Sequence, residues 1–326
     1  MLRQQQRVAH IKQRYTELLS DALNLTEIQA PLFVPQHSGL QDTLSGHEPG
    51  VLVHVPAKQQ NYEIVHSLAK WKRSALSYFG CPTGTGIVTQ MKAIRAHEPE
   101  LTGRHSILVE QWDWEQVIAP TDRTLTKLKQ TVSTIYASLL QLYAEFGQAE
   151  AGVAPASEVV FIHAEQLRQM YPQLTPKQRE YEFTKLHRAV FIIGIGAPLA
   201  DGTTHDQRAA DYDDWSSGDA PLQGLNGDLL VWHAGLADAL ELSSMGIRVD
   251  AEALIHQLTC CKRLSDLQQP WHQQLLQGML PACIGGGIGQ SRVIMWLLNL
   301  VDIAATQAPE ISTEMKVKRP AAVEVA

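Results

Sequence analysis

The chain has 326 residues, 44% of them apolar and 19% charged, and carries a formal net charge of −7. That apolar content supplies a large core, and the acidic balance argues against the broad basic face with which a protein grips a polynucleotide. The longest basic run is Lys70 to Arg73, three basic residues in four, although one bound nucleotide needs only a few well-placed cations. The four cysteines (Cys81, Cys260, Cys261 and Cys283) contain no CxxC pair. They read as buried or incidental thiols in a reducing compartment, not as a zinc site or disulfide framework. No apolar signal core opens the chain and no 18-residue apolar run occurs in it, so a cytoplasmic protein without membrane association is expected.

Residues 3–23 read as an amphipathic helix, with Val8, Ile11, Tyr15, Leu18, Leu19 and Ala22 on one stripe. Residues 25–31 alternate like a strand and are stopped by Pro31, which cannot donate to a ladder. The 38–50 stretch, with three glycines and Pro49, is a loop. Short strands are predicted at 51–55 and 62–66, a helix at 67–79, and a second strand pair at 87–94 and 106–112. The clearest helix begins at Thr121 or Asp122 and ends at Gly147, with Leu125, Leu128, Val132, Ile135, Leu139 and Leu142 in helical period. A strand at 158–163 precedes Thr175-Pro-Lys-Gln178, which has capping-box spacing with proline at the first helical position. That helix should run to about Arg188 and lead into a buried strand at 189–196. Strands at 228–233 and 237–242, helices at 251–261 and 271–277, and a glycine run leading into a helix at 293–300 complete the pattern. A tail from about Ala308 reads as flexible. Strands come in neighbouring pairs and not in βαβ alternation. The expected fold is therefore α+β: one domain over 1–326 with a mostly antiparallel sheet flanked by helices.

Two glycine runs need separating. Phe191-Ile-Ile-Gly-Ile-Gly-Ala-Pro198 has a strand meeting GxG, but Pro198 and Asp201-Gly202 leave no helix to aim at a pyrophosphate, so it reads as a strand ending in a turn. Ile284-Gly-Gly-Gly-Ile-Gly-Gln-Ser-Arg292 is neither a Walker A loop nor GxGxxG. Its glycines allow the backbone to lie against a flat ligand, and Arg292 can reach a phosphate bidentately. Tight packing alone would account for the glycines but not for Gln290-Ser-Arg292.

On a strand, Gln111, Asp113 and Glu115 share one face with Trp112 and Trp114 on the other. Two acids and an amide suit an amino-acid pocket, and an ordinary polar face remains the alternative. Asp228 and Glu241, on consecutive strands, have the chemistry to share Mg²⁺ with phosphate oxygens, and a solvated hairpin is the alternative there. Asp211-Tyr-Asp-Asp-Trp215 and His66-Ser-Leu-Ala-Lys-Trp-Lys-Arg73, each alone, are ordinary surface features.

In order along the chain these segments resemble the class II aminoacyl-tRNA synthetase catalytic core. Residues 25–31 look like its motif 1, Arg95-Ala-His-Glu98 with Gln111-Trp-Asp-Trp-Glu115 like motif 2, and 285–292 like motif 3, where Ser291 replaces the usual acid. Adding His66 to Arg73, Asp211 to Trp215 and Glu241-Leu-Ser-Ser-Met-Gly-Ile-Arg-Val-Asp250, nearly the whole chain resembles the ammonia-dependent asparagine synthetases, or aspartate–ammonia ligases. Those enzymes have the synthetase core without an anticodon-binding domain, and the 24 residues before motif 1 leave no room for one.

The resemblance implies ATP and Mg²⁺ as cofactors, L-aspartate and ammonia as substrates, and a homodimer that binds no nucleic acid. It assigns Arg95 to the α-phosphate, Arg292 to the distal phosphates, and Asp228 and Glu241 to Mg²⁺, with Glu98, Gly287 and Gly289 completing the nucleotide site. Lys72 is assigned to the β-carboxylate and Gln111 and Asp113 to the α-amino and α-carboxylate region. Ser67, Ser243, Ser244 and Arg248 would hold substrate, as would Arg208 and Asp213. Asp42 would complete the pocket and guide ammonia. Two rivals share the fold: a paralogue that passes an adenylated amino acid to tRNA or protein, and a non-catalytic regulatory subunit. A glutamine donor is not expected, because no N-terminal nucleophilic cysteine is present.

Overall fold

The computed structural model describes residues 2–46, 48–96, 101–147 and 154–309. Helix α1 (Leu2–Leu23) leads to strands β1 (Leu25–Glu27), β2 (Phe33–Pro35), β3 (Val51–Val55) and β4 (Gln60–Ile64). Helix α2 (Ala69–Tyr78), strands β5 (Gly86–Ile94) and β6 (Leu108–Val117), and helix α3 (Leu125–Phe146) follow. Next come β7 (Val160–His163), α4 (Ala164–Met170), α5 (Pro176–His187), β8 (Ala189–Ile193), β9 (Asn226–His233) and β10 (Asp238–Ile247). The described chain closes with α6 (Ala251–Cys260), α7 (Pro270–Leu276), β11 (Cys283–Gly289) and α8 (Gln290–Leu298).

Eight strands form one sheet in the order β1-β5-β6-β11-β10-β9-β8-β7, and β2-β4-β3 form a second, smaller one. Within the large sheet only β1–β5 and β7–β8 pair in parallel; the five inner pairings are antiparallel. The mostly antiparallel α+β architecture is thus as the strand pairing indicated. The main core lies where α1, α3 and α8 cover one face of this sheet. Tyr15 of α1 meets Trp112 of β6 edge-on, with ring centroids 4.6 Å apart.

Local chemistry explains most boundaries. Thr175 receives the Gln178 amide while the Gln178 side chain accepts from the Thr175 amide, so both arms of the capping box form. Arg188, at φ 68°, ends α5 in the left-handed region. Helix α3 starts later than expected: Thr124 is its cap, accepting from the Lys127 amide, and Pro120–Asp122 form a separate 3₁₀ turn. The 25–31 segment is a strand only through Glu27. Helix α4 carried no sequence signal, because it has seven residues and is capped by His163 instead of Ser, Thr, Asp or Asn.

The largest correction concerns 283–289. The glycine run is strand β11, paired on both sides in the middle of the large sheet. Glycine is depleted in strands, so the sequence pattern marked this stretch only as a glycine run and assigned it no strand. The expected flexible tail lies, beyond residue 309, outside the described residues. Among the described residues no helix is long and apolar enough to cross a membrane.

Candidate active site

Strand β6 divides core from site. Trp112 and Trp114 belong to the apolar core, and alternation turns Gln111, Asp113 and Glu115 to the opposite face. Strand β11 lies beside it, with Gly285, Gly287 and Gly289 paired to Glu115, Asp113 and Gln111. A Cβ at Gly287 would collide with the Gln111 amide group, and one at Gly285 with the Glu115 carboxylate. These two glycines therefore make room for the polar side chains of the neighbouring strand.

Beneath this floor lies a buried network of charges. Lys72, fully buried on α2, donates to Asp113 Oδ1 at 2.5 Å and to the carbonyls of Trp114 at 2.9 Å and Gly286 at 3.1 Å. All three of its protons are therefore used within the protein. Arg248 holds Glu115 bidentately at 2.8 and 2.7 Å and also donates to Asp213. Burial alone would raise Glu115, but Arg248 more than offsets that and keeps its carboxyl below the usual range. Asp113 is shifted up, because burial outweighs the adjacent Lys72. Three cations, Lys72, Arg248 and Arg208, thus face four carboxylates, Asp113, Glu115, Asp213 and Asp228. Asp113 Oδ2 is buried without a hydrogen-bond partner among the described residues. One carboxylate in excess and an unused acceptor together suit an incoming ammonium group.

A cavity of about 520 Å³ opens at this floor, lined by Gln111, Ser243, Ser244, Gly287 and Gly289, with Arg95, Arg104, Arg208 and Arg292 among its walls. Arg292 is in the first turn of α8, where it donates to the Glu241 carbonyl at 3.2 Å and lies 3.6 Å from the Glu241 carboxylate. Arg208 donates to Asp228 at 2.6 Å and lies 3.7 Å from Asp213. Ser291, where synthetases carry an acid, is buried and receives a hydrogen bond from Gln307 at 3.3 Å.

Asp228 faces Ser244 across the β9–β10 ladder, and a bulge follows Glu241 on β10. Burial and the nearby Glu241 push Asp228 up to about 6 against the pull of Arg208. Burial would raise Glu241 too, but Arg292 and Lys177 hold it below its ordinary value. Mutually repelling carboxylates beside an arginine-walled cavity fit a hard cation that completes its shell with phosphate oxygens and water. No group of three His, Cys, Asp or Glu with metal-site geometry exists among the described residues.

Of the residues singled out from sequence, the cavity gathers Arg95, Gln111, Arg208, Glu241, Ser243, Ser244, Gly287, Gly289 and Arg292. Lys72, Asp113, Asp213 and Arg248 form the buried layer below, and Asp228 joins it through Arg208. Ser67 lines neither this cavity nor the second one described below. Asp42 is fully buried, where it accepts the Ala69 amide at 2.5 Å and so satisfies the N-terminus of α2. Glu98 lies outside the described residues. Glu115, grouped from sequence with Gln111 and Asp113 on one strand face, is fully buried and takes up Arg248 instead of lining the cavity. Tyr212 and His66 also line the cavity; both stand inside segments that carry the resemblance, but neither was assigned a role there. The Lys70–Arg73 basic run is internal: Lys70 pairs with Asp211 at 2.6 Å and Arg73 donates to the Pro281 and Val249 carbonyls.

The fold has solved counterparts. Asparaginyl-tRNA synthetase from Entamoeba histolytica, in complex with asparaginyl-adenylate, superposes with a TM-score of 0.66 at 16% identity, covering 94% of this chain and 66% of that one. Asparaginyl-tRNA synthetase from Pyrococcus horikoshii, complexed with asparaginyl-adenylate, gives 0.65 at 15% identity, covering 93% and 68%. Aspartyl-tRNA synthetase from Entamoeba histolytica gives 0.59 at 15% identity, covering 92% and 57%. The architecture is that of class II synthetase catalytic domains, and the chain spans about two thirds of the asparaginyl enzymes' length. The family model described as aspartate-ammonia ligase matches residues 2–322. Together with the floor of β6 and β11 and the cavity above it, that match shows that the chain belongs to the aspartate-ammonia ligase family.

Proposed function

We propose that this protein forms L-asparagine from L-aspartate and ammonia, cleaving ATP to AMP and pyrophosphate through β-aspartyl-adenylate. The observation that carries the reading is the juxtaposition of charge: an arginine-walled cavity of about 520 Å³ over a buried floor with one carboxylate in excess. ATP suits the first feature, and the α-ammonium of an amino acid suits the second.

In the first step a β-carboxylate oxygen of aspartate bonds to the α-phosphorus of ATP, and the bond to the bridging oxygen breaks, releasing pyrophosphate. Anions must meet, so the required positive charge has to be held in place beforehand. Arg95 and Arg292 would supply it, on the α-phosphate and distal phosphates. Asp228 and Glu241 would hold Mg²⁺, which when bound would neutralise phosphate charge. Asp113 and Gln111 would orient the α-amino and α-carboxylate groups, and Lys72 would act on the β-carboxylate through the field of its fixed ammonium.

In the second step the ammonia nitrogen bonds to the acyl carbon. The acyl carbon–oxygen bond breaks, AMP leaves with the electron pair, and the nitrogen gives up a proton. Ammonium must lose one proton earlier to become nucleophilic. Asp42, pushed up to about 6 chiefly by burial, is a fitting acceptor for it.

A homodimer is supported by apolar residues left on the outside, among them Leu32, Phe33 and Leu52, each 46–54% exposed, near the motif 1 segment. We also place the protein in the cytoplasm, as one catalytic domain. The reading is tested by assaying AMP and asparagine from ATP, Mg²⁺ and aspartate, with ammonium or glutamine as donor. Adenylate formation without asparagine would leave the adenylating core standing and move the acceptor to tRNA or protein.

A further inference from the structure

A second cavity, of about 280 Å³, is lined by Glu48, Glu63, Lys70, Asp211 and Arg263. Residues 43–46 and 48–50 stand between the two cavities: Thr43, Pro49 and Gly50 line the second, Leu44 and Ser45 the first, and Glu48 both. His37 lines it too, and its two fixed cations, Lys70 and Arg263, are both engaged. Lys70 pairs with Asp211 at 2.6 Å and lies 3.9 Å from Asp42, and Arg263 pairs with Asp266 at 2.6 Å. Glu63, half-buried on β4, makes no ion pair within 4 Å among the described residues. Asp211 is 2% exposed, and its Oδ1 has no hydrogen-bond partner among the described residues.

We propose that this cavity is a receiving site for the ammonium ion, which reaches the acyl-adenylate from the side of Asp42 and Lys70 and not through the nucleotide cavity. The inference rests on the ammonia-dependent reading above. ATP and then AMP fill the first cavity, so a late-arriving nucleophile needs another approach. Water competes for the same acyl carbon and resembles ammonia in size and polarity. Ammonium differs from water by its charge, and a chamber with excess carboxylate selects on that difference. Asp211 Oδ1 and Glu63 offer acceptors to a cation with four N–H donors. From there Lys70 and Asp211 lead directly to the buried Asp42.

The test is steady-state kinetics of Glu63→Gln, a residue outside the reaction machinery, with ammonium, ATP and aspartate each varied. The KM for ammonium is expected to rise about two- to fivefold, the scale of one partly exposed charge pair. The KM values for ATP and aspartate should hold, as should pyrophosphate exchange measured without ammonium. Glu63→Lys should raise the ammonium KM further, and potassium, which is close to ammonium in size, should compete with ammonium in the parent enzyme but not in Glu63→Gln. Melting temperatures report whether each variant is folded. An unchanged ammonium KM in both folded variants, or equal changes for all three substrates, would overturn the proposal while leaving asparagine formation intact. A parent enzyme that makes no asparagine from ammonium would instead refute the underlying reading.

Discussion

Alanine substitutions at three glycines of β11 should separate packing from ligand contact. At Gly289 a new Cβ meets the Leu242 carbonyl at an ordinary 3.6 Å. Gly289→Ala should therefore be neutral or stabilising by about 0.5 kcal/mol, through reduced freedom of the unfolded chain. At Gly287 the nearest atoms to the new Cβ are those of the amide end of Gln111, which can swing aside. Stability should fall by less than about 1 kcal/mol, within the range of a half-tolerated surface change, while the floor loses depth and the Gln111 contact. Gly285→Ala drives a Cβ into the Glu115 carboxylate and 2.7 Å from an Arg248 nitrogen. Opening that buried bidentate pair should cost about 3–5 kcal/mol. Urea unfolding gives the stabilities, and pyrophosphate exchange with aspartate gives the adenylation rate. The expected ranking in stability is Gly289→Ala, Gly287→Ala, Gly285→Ala, with Gly287→Ala alone stable yet deficient in exchange. A Gly285→Ala protein as stable as its parent would refute the pairing of β11 with β6 and the floor built on it.

Arg248→Lys should lose at least one arm of the Glu115 fork and be clearly less stable in urea than the parent. The raised value of Asp42 has a definite pH signature. A carboxyl raised in the folded state adds stability that is complete below its unfolded value and is lost as pH rises through about 6. Asp42→Asn should flatten the stability profile in that window and remove asparagine formation, as followed by melting temperature and product assay against pH. Removing divalent cations with a chelator should stop adenylation reversibly. Asp228→Asn or Glu241→Gln should raise the Mg²⁺ concentration needed for half-maximal rate about tenfold or more, the scale of losing a charged ligand. Thr175→Ala should cost about 1 kcal/mol through loss of the cap of α5, with unchanged activity.

The legible parts of this chain were those encoded locally. The α1 stripe, the α3 heptads and the Thr175 capping box each lie within a few turns of sequence, and each element forms close to where its pattern begins and ends. The alternation around Gln111, Asp113 and Glu115 also revealed which side chains share a face. The rest depends on contacts between distant segments. Lys72 meets Asp113 from 41 residues away, and Asp42 accepts the Ala69 amide from 27 residues away. No periodicity announces such pairings. Strand β11 was hidden for a related reason: its glycines are tolerated in mid-sheet because neighbouring strands supply the side chains that fill their space. Resemblance to known motifs singled out Arg95 and Arg208, which line the first cavity and which pattern alone would have left as surface charges.

The central claim is tested most directly by incubating the protein with ATP, Mg²⁺ and aspartate, adding ammonium to one sample and glutamine to another, and quantifying AMP and asparagine. The account predicts asparagine and AMP in equal amounts with ammonium and none with glutamine. Folded protein that yields neither product nor pyrophosphate exchange would contradict it.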